Sequence, residues 1–249
     1  MENVNSKAEN NTAQAANLLE TIKANGKIRV GTEGTYAPFT FHDESGKLTG
    51  FDVEIAQEVA NCLGVQIEFI ETNRDSLIAG LDTGQFDIVV NEITIRNDLK
   101  DKYDFSDPYI VSKAELIVHQ DNRDIKRLAN LKGKKAGQSL QNDLTDIAKE
   151  SGAIIVQTEG FSQSIDLLTS KQIDVVINNG LFYLYMKRQN PDAPIKVVGR
   201  TVSSWKSGIL VRKGNEELVN AINQALTDMR YDGTYLKISK KYFGLNVSR

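Results

Sequence analysis

The chain has 249 residues, 40% hydrophobic and 25% charged, with a mean hydropathy of -0.34, which describes a globular protein long enough for two modest cores. Its formal net charge of -3 is too mild, and of the wrong sign, to suggest a nucleic-acid partner. One cysteine, Cys62, rules out a disulfide within the chain, and two distant histidines, His42 and His119, without a ligand motif argue against a metal or metal cofactor.

The first residues, 2–14, are rich in Asn, Ala, Lys and Glu and read as a flexible tether; no bilayer-length apolar run and no signal peptide follow from the pattern. A short strand is expected over 27–32 (KIRVGT), then a helix over 51–63 with Ile55, Val59, Cys62 and Leu63 on one face and Gly64 as C-cap. That face predicts a buried thiol at Cys62. A strand over 66–70, a short helix over 75–81 and a continuous apolar strand over 86–90 complete a βαβ series, which implies a parallel sheet with helices on both sides.

The series restarts with strands over 114–119 and 134–137, a helix over 143–150, a strand over 153–156, a helix over 161–170 and a strand over 173–177. The runs FDIVV at 86–90 and IDVVI at 173–177 end matching units, so two lobes with a cleft between them are expected. Helical spacing returns at Leu218, Ile222, Ala225, Leu226 and Met229, and a last helix is expected over 234–242. Periodicity does not say which lobe this tail covers.

Five stretches in combination resemble the bacterial extracytoplasmic solute-binding proteins of polar amino-acid ABC importers (family 3), in particular the cystine-binding branch. They are 30–41 (VGTEGTYAPFTF), 50–58 (GFDVEIAQE), 86–109 (FDIVVNEITIRNDLKDKYDFSDPY), 137–140 (GQSL) and 232–244 (DGTYLKISKKYFG). The resemblance implies a two-lobed α/β fold of the periplasmic-binding-protein type (type II), each lobe a mixed sheet flanked by helices. It implies a tether over 1–19, a discontinuous first lobe over 20–112 plus 206–249 and an inserted second lobe over 113–205, joined by strands crossing near Ser112 and Lys206. It further implies a monomer that lies outside the cytoplasm, periplasmic or lipid-anchored, closes on a small solute and delivers it to a membrane permease.

In that family a hydroxyl and an arginine hold the ligand carboxylate with the start of a second-lobe helix, and an aspartate takes the ammonium. Thr94 matches the hydroxyl and Tyr36 an aromatic that packs over the ligand, although ordinary cleft packing explains Tyr36 equally well. The arginine position is Leu99, the helix-start position is Gln141 or Asn142, and the aspartate is Asn179. Arg74 stands where an uncharged residue usually lines the side-chain end of the pocket, and Glu92 replaces a small or amide residue.

An unpaired buried charge is costly, so these departures matter. Losing one charge-assisted bond costs ~1.5–3 kcal/mol, and losing both arginine and aspartate weakens the usual zwitterion pose by roughly 4 kcal/mol, about a thousandfold. Two repairs are open: Arg96 or Arg74 supplies the cation and Glu92 the anion for a shifted pose, or Arg74 and Glu92 pair with each other. The main reading is a solute-binding protein with altered specificity or pose. The alternatives are an anchored adhesion or signalling protein that no longer binds amino acids, and a dehydratase-like enzyme with Glu92 as acid; the latter lacks any nucleophile beside a base.

Overall fold

The computed structural model describes residues 17–138 and 143–249. Asn17 caps helix α1 (Leu18–Asn25) by accepting the Glu20 N–H at 2.9 Å, and Gly26 closes it with φ 64°. Leu18 and Leu19, which the resemblance includes in a tether over 1–19, belong to this helix and pack on the core, because Asn17 gives the chain a helix start there.

The first lobe follows as β1 (Lys27–Thr32), a small sheet of β2 (Thr35–Tyr36), β3 (Thr40–His42) and β4 (Leu48–Thr49), then α2 (Phe51–Leu63), β5 (Gln66–Glu71), α3 (Arg74–Asp82), β6 (Ile88–Val89), α4 (Asn97–Lys100) and β7 (Tyr103–Phe105). Gly50 starts α2 at φ 133°, and a Cβ there would lie 2.1 Å from the Phe39 carbonyl oxygen, so no other residue fits. A crossing strand, β8 (Ile110–His119), leads to β9 (Lys135–Gln138), α5 (Asp143–Glu150), β10 (Ile154–Gln157), α6 (Phe161–Thr169), β11 (Val175–Asn179) and α7 (Gly180–Gln189). The chain returns through β12 (Ile195–Ser207) to β13 (Leu210–Arg212), α8 (Glu216–Asp232) and α9 (Thr234–Phe243).

The two sheets have orders β5-β1-β6-β13-β7 and β10-β9-β11-β8-β12. In each, the first strand of a βαβαβ unit lies between the other two, paired in parallel on both sides. This is the structural form of the repeat seen in FDIVV and IDVVI. The apolar runs are continuous because both faces are covered: Ile88 and Val90 enter one first-lobe cluster and Val89 the other, and Val175 and Ile177 lie opposite Val176 in the second lobe. Of the run 86–90 only Ile88 and Val89 form ladder pairs; Phe86 is buried beside Leu77 and Leu81 instead.

Strands β8 and β12 pair antiparallel, with Ser112 opposite Trp205 and Val111 opposite Lys206, and so carry the chain between lobes in both directions. Helices α8 and α9 join α2 in the first-lobe core, which places the tail there. Helix α7 bridges: Leu181 enters the first-lobe core, whereas Tyr183 and Met186 pack in the second lobe. Cys62 is exposed rather than buried. The buried stripe of α2 runs through Asp52, Ile55, Ala56, Val59 and Ala60, and Cys62 falls at its edge in the last turn, close to the charges of Asp228, Glu58 and Asp232.

Candidate functional site

In both sheets, chemistry-bearing residues follow the carboxyl ends of the central parallel strands, the usual ligand position in α/β sheets. Glu33 follows β1, Asn91 and Glu92 follow β6, and Asn179 ends β11 and caps α7 by accepting the Leu181 N–H at 3.0 Å. Asn179 lies opposite Ala114 in β8, beside the crossing strands.

Glu92 is the junction. It is 4% exposed and has a φ of 48°, a left-handed conformation uncommon outside glycine. Its carboxylate accepts hydrogen bonds from Tyr36 Oη at 2.8 Å, Ser112 Oγ at 2.6 Å and Asn179 Nδ2 at 2.9 Å. These donors come from the first lobe, a crossing strand and the second lobe, so one carboxylate ties the three together. Its backbone N–H donates to Asp52 Oδ2 at 2.6 Å.

Asp52 is fully buried, and its Oδ1 has no hydrogen-bond partner. Burial, reinforced by the neighbouring Glu92 charge, pushes its carboxyl up to about 8. Burial raises Glu92 as well, but the bonds from Ser112, Tyr36 and Asn179 oppose that rise. Burial is thus the leading cause in both carboxyls, and in Glu92 three side-chain donors work against it.

Arg74 does not pair with Glu92. Its Nη1 lies 3.4 Å from Glu33 Oε2, and its guanidinium sits 5.5 Å from the Tyr36 ring centroid. Glu33 Oε2 also accepts Asn91 Nδ2 at 2.5 Å. The pairing of Arg74 with Glu92 is thus replaced by a Glu33–Arg74–Tyr36 group, because Glu92 is turned inward by its hydrogen-bond donors. Arg96 lies on the surface, 3.2 Å from Asp98.

Leu99 is half-buried and packs beside Ile93 and Tyr103, as an apolar side chain does where a cation is missing. It lines a cavity of about 350 Å³ with Arg74, Leu77, Ile93, Thr94 and Arg96. Thr94 forms an isolated bridge with Ser207, where the returning strand re-enters the first lobe. Gln141 and Asn142 lie outside the described residues. Tyr36, Glu92 and Asn179 therefore meet directly, and Arg74, Thr94, Arg96 and Leu99 surround an adjoining cavity.

The structure adds residues that the sequence reading does not single out. Phe182 of α7 approaches Tyr36, Phe39 and Phe161 with ring centroids 5.9, 5.8 and 5.7 Å away, giving an aromatic wall shared by the lobes. Asp52 had a visible signal: an acid at helical spacing from Ile55, Ala56 and Val59 on a buried stripe. Glu33 stands within the VGTEGTY stretch itself. Ser112 and Phe182 have no comparable local signal. Among the described residues no group of three or more His, Cys, Asp or Glu side chains is placed to hold a metal, and no helix is long and apolar enough to cross a membrane.

This arrangement of two repeated α/β lobes, crossing strands and a polar site at the strand ends is that of a solute-binding protein. Residues 28–245 match the bacterial extracellular solute-binding proteins, family 3, and the chain belongs to that family. It is 40% identical to the L-cystine-binding protein TcyA of Bacillus subtilis, over 98% of this chain and 91% of that protein. It is 37% identical to the L-cystine-binding protein TcyJ of Escherichia coli, over 93% of this chain and 88% of that protein. The L-cystine solute receptor of Neisseria gonorrhoeae, solved unliganded and open, superposes with a TM-score of 0.83 at 41% identity, covering 94% of this chain and all of that one. These relatives are binding proteins rather than enzymes, and none supports the adhesion or dehydratase reading.

Proposed function

We propose that this chain captures a cystine-like or other polar amino acid between its lobes and delivers it to the membrane permease of an ABC importer. The observation that carries the reading is Glu92, a buried carboxylate bonded to both lobes beside an aromatic wall. A ligand ammonium takes its place on Glu92, and the carboxylate turns toward Thr94, Arg96 and the cavity beside Leu99. The negative charge expected at position 179 has in effect moved to position 92, so the pose is shifted rather than lost.

The movement that encloses the solute is a rotation of residues 113–205 against 20–112 plus 206–249 about the paired strands at Ser112 and Trp205. The protein works as a monomer outside the cytoplasm, free in the periplasm or anchored by lipid. A thermal-shift screen over L-cystine, single amino acids, small peptides and organic anions tests the reading. Ligand at about 100 times its Kd stabilises the native state by ~2.7 kcal/mol, roughly 5–10 °C for a chain of this size. A shift with L-cystine or a polar amino acid is expected; none with any amino acid would overturn the proposal.

A further inference from the structure

The half-buried carboxyl of Glu33, the buried carboxyl of Glu92 and the ring of Tyr36 gather at one edge of the site. Such a surface attracts cations, through charge and through ring faces. One place on it is already taken by the chain itself. The Arg74 guanidinium lies on the Tyr36 ring at 5.5 Å and against Glu33 at 3.4 Å, and its charge acts on both Tyr36 and Glu92.

We infer that Arg74 is a specificity-determining residue, a tethered cation that bars amino acids with a cationic side chain from the cleft. The inference rests on the proposed amino-acid site and adds which side chains that site refuses. An incoming guanidinium or ammonium side chain has to displace Arg74 from Glu33 and Tyr36. The displaced Arg74 then loses its acidic partner and stands beside a second positive charge. Because Arg74 is tethered at the first turn of α3, it competes at a high effective concentration. A solute whose distal end is neutral, or whose distal ammonium is balanced by its own carboxylate, adds no net positive charge beside Arg74, and that carboxylate can face Arg74 and Arg96 at the adjoining cavity, which Asp75 also lines.

The side chain of Arg74 is 54% exposed, so replacing it leaves the core intact. Isothermal titration of L-cystine and L-arginine into the wild type, Arg74→Gln and Arg74→Lys reads the effect as a ratio of Kd values. The wild type is expected to prefer L-cystine at least tenfold. Arg74→Gln should lower that preference at least tenfold, and Arg74→Lys, which keeps the charge, should retain most of it. An unchanged ratio in Arg74→Gln, or equal wild-type affinity for both solutes, overturns the inference while leaving the amino-acid site standing. Absence of binding by either solute to all three proteins overturns both.

Discussion

Asp52→Asn is expected to flatten the pH dependence of stability. The Asp52 carboxyl is buried beside Glu92 and raised from 3.8 to about 8, so between those values the folded protein keeps a proton that the unfolded chain has released. The stabilisation from holding that proton is complete below about pH 4 and is lost as pH rises through about 8. At ~1.4 kcal/mol per pH unit the span from 3.8 to about 8 bounds the loss at ~6 kcal/mol, of which ~4 kcal/mol falls above pH 5. For a chain of this length that bounds the fall in Tm between pH 5 and pH 9 at roughly 8–16 °C. Asparagine keeps an oxygen to accept the Glu92 N–H, now bonded at 2.6 Å, and removes the ionisable proton. Glu92, raised in the same direction, leaves a residual slope. Scanning calorimetry at fixed ionic strength should show at least half of the wild-type fall abolished. An Asp52→Asn protein with the wild-type slope would refute the reasoning.

Asn179→Asp places a second carboxylate 2.9 Å from Glu92 and should lower stability at pH 7 by ~2 kcal/mol; adding Glu92→Gln should restore most of it, as a double-mutant cycle in urea will read. Leu99→Arg, whose guanidinium enters the cavity of about 350 Å³, should tighten binding of single amino acids such as L-serine roughly tenfold by supplying a carboxylate partner, measurable by calorimetry. Phe182→Ala removes ring contacts with Tyr36, Phe39 and Phe161 and should cost ~3 kcal/mol in urea unfolding.

The repeated βαβ series and the helical tail were legible because each rests on local periodicity: Ile88 and Val89, like Val176 and Ile177, must be apolar on both faces of a covered sheet. The lobe covered by the tail was not legible, since the contacts of α8 and α9 with α2 join residues far apart in sequence. Glu92 and Asn179 stood out individually as departures from the family pattern. Their mutual hydrogen bond spans 87 positions and depends on the left-handed turn at Glu92, which no spacing rule predicts for a glutamate. Arg74 illustrates the same limit: its charge is plain in the sequence, but its choice of Glu33 over Glu92 follows from Glu92 being turned inward by Tyr36, Ser112 and Asn179. Cys62 misled because it falls at the edge of the buried stripe of α2, in the last turn and beside the charges of Asp228, Glu58 and Asp232.

The central claim is that the Glu92 carboxylate anchors the ammonium of a captured amino acid. Isothermal titration of L-cystine into the wild type and Glu92→Gln at pH 7 tests it most directly. Loss of one charge-assisted hydrogen bond, ~1.5–3 kcal/mol, predicts a Kd raised roughly 10- to 150-fold in Glu92→Gln. Equal affinity of the two proteins for L-cystine would contradict the account.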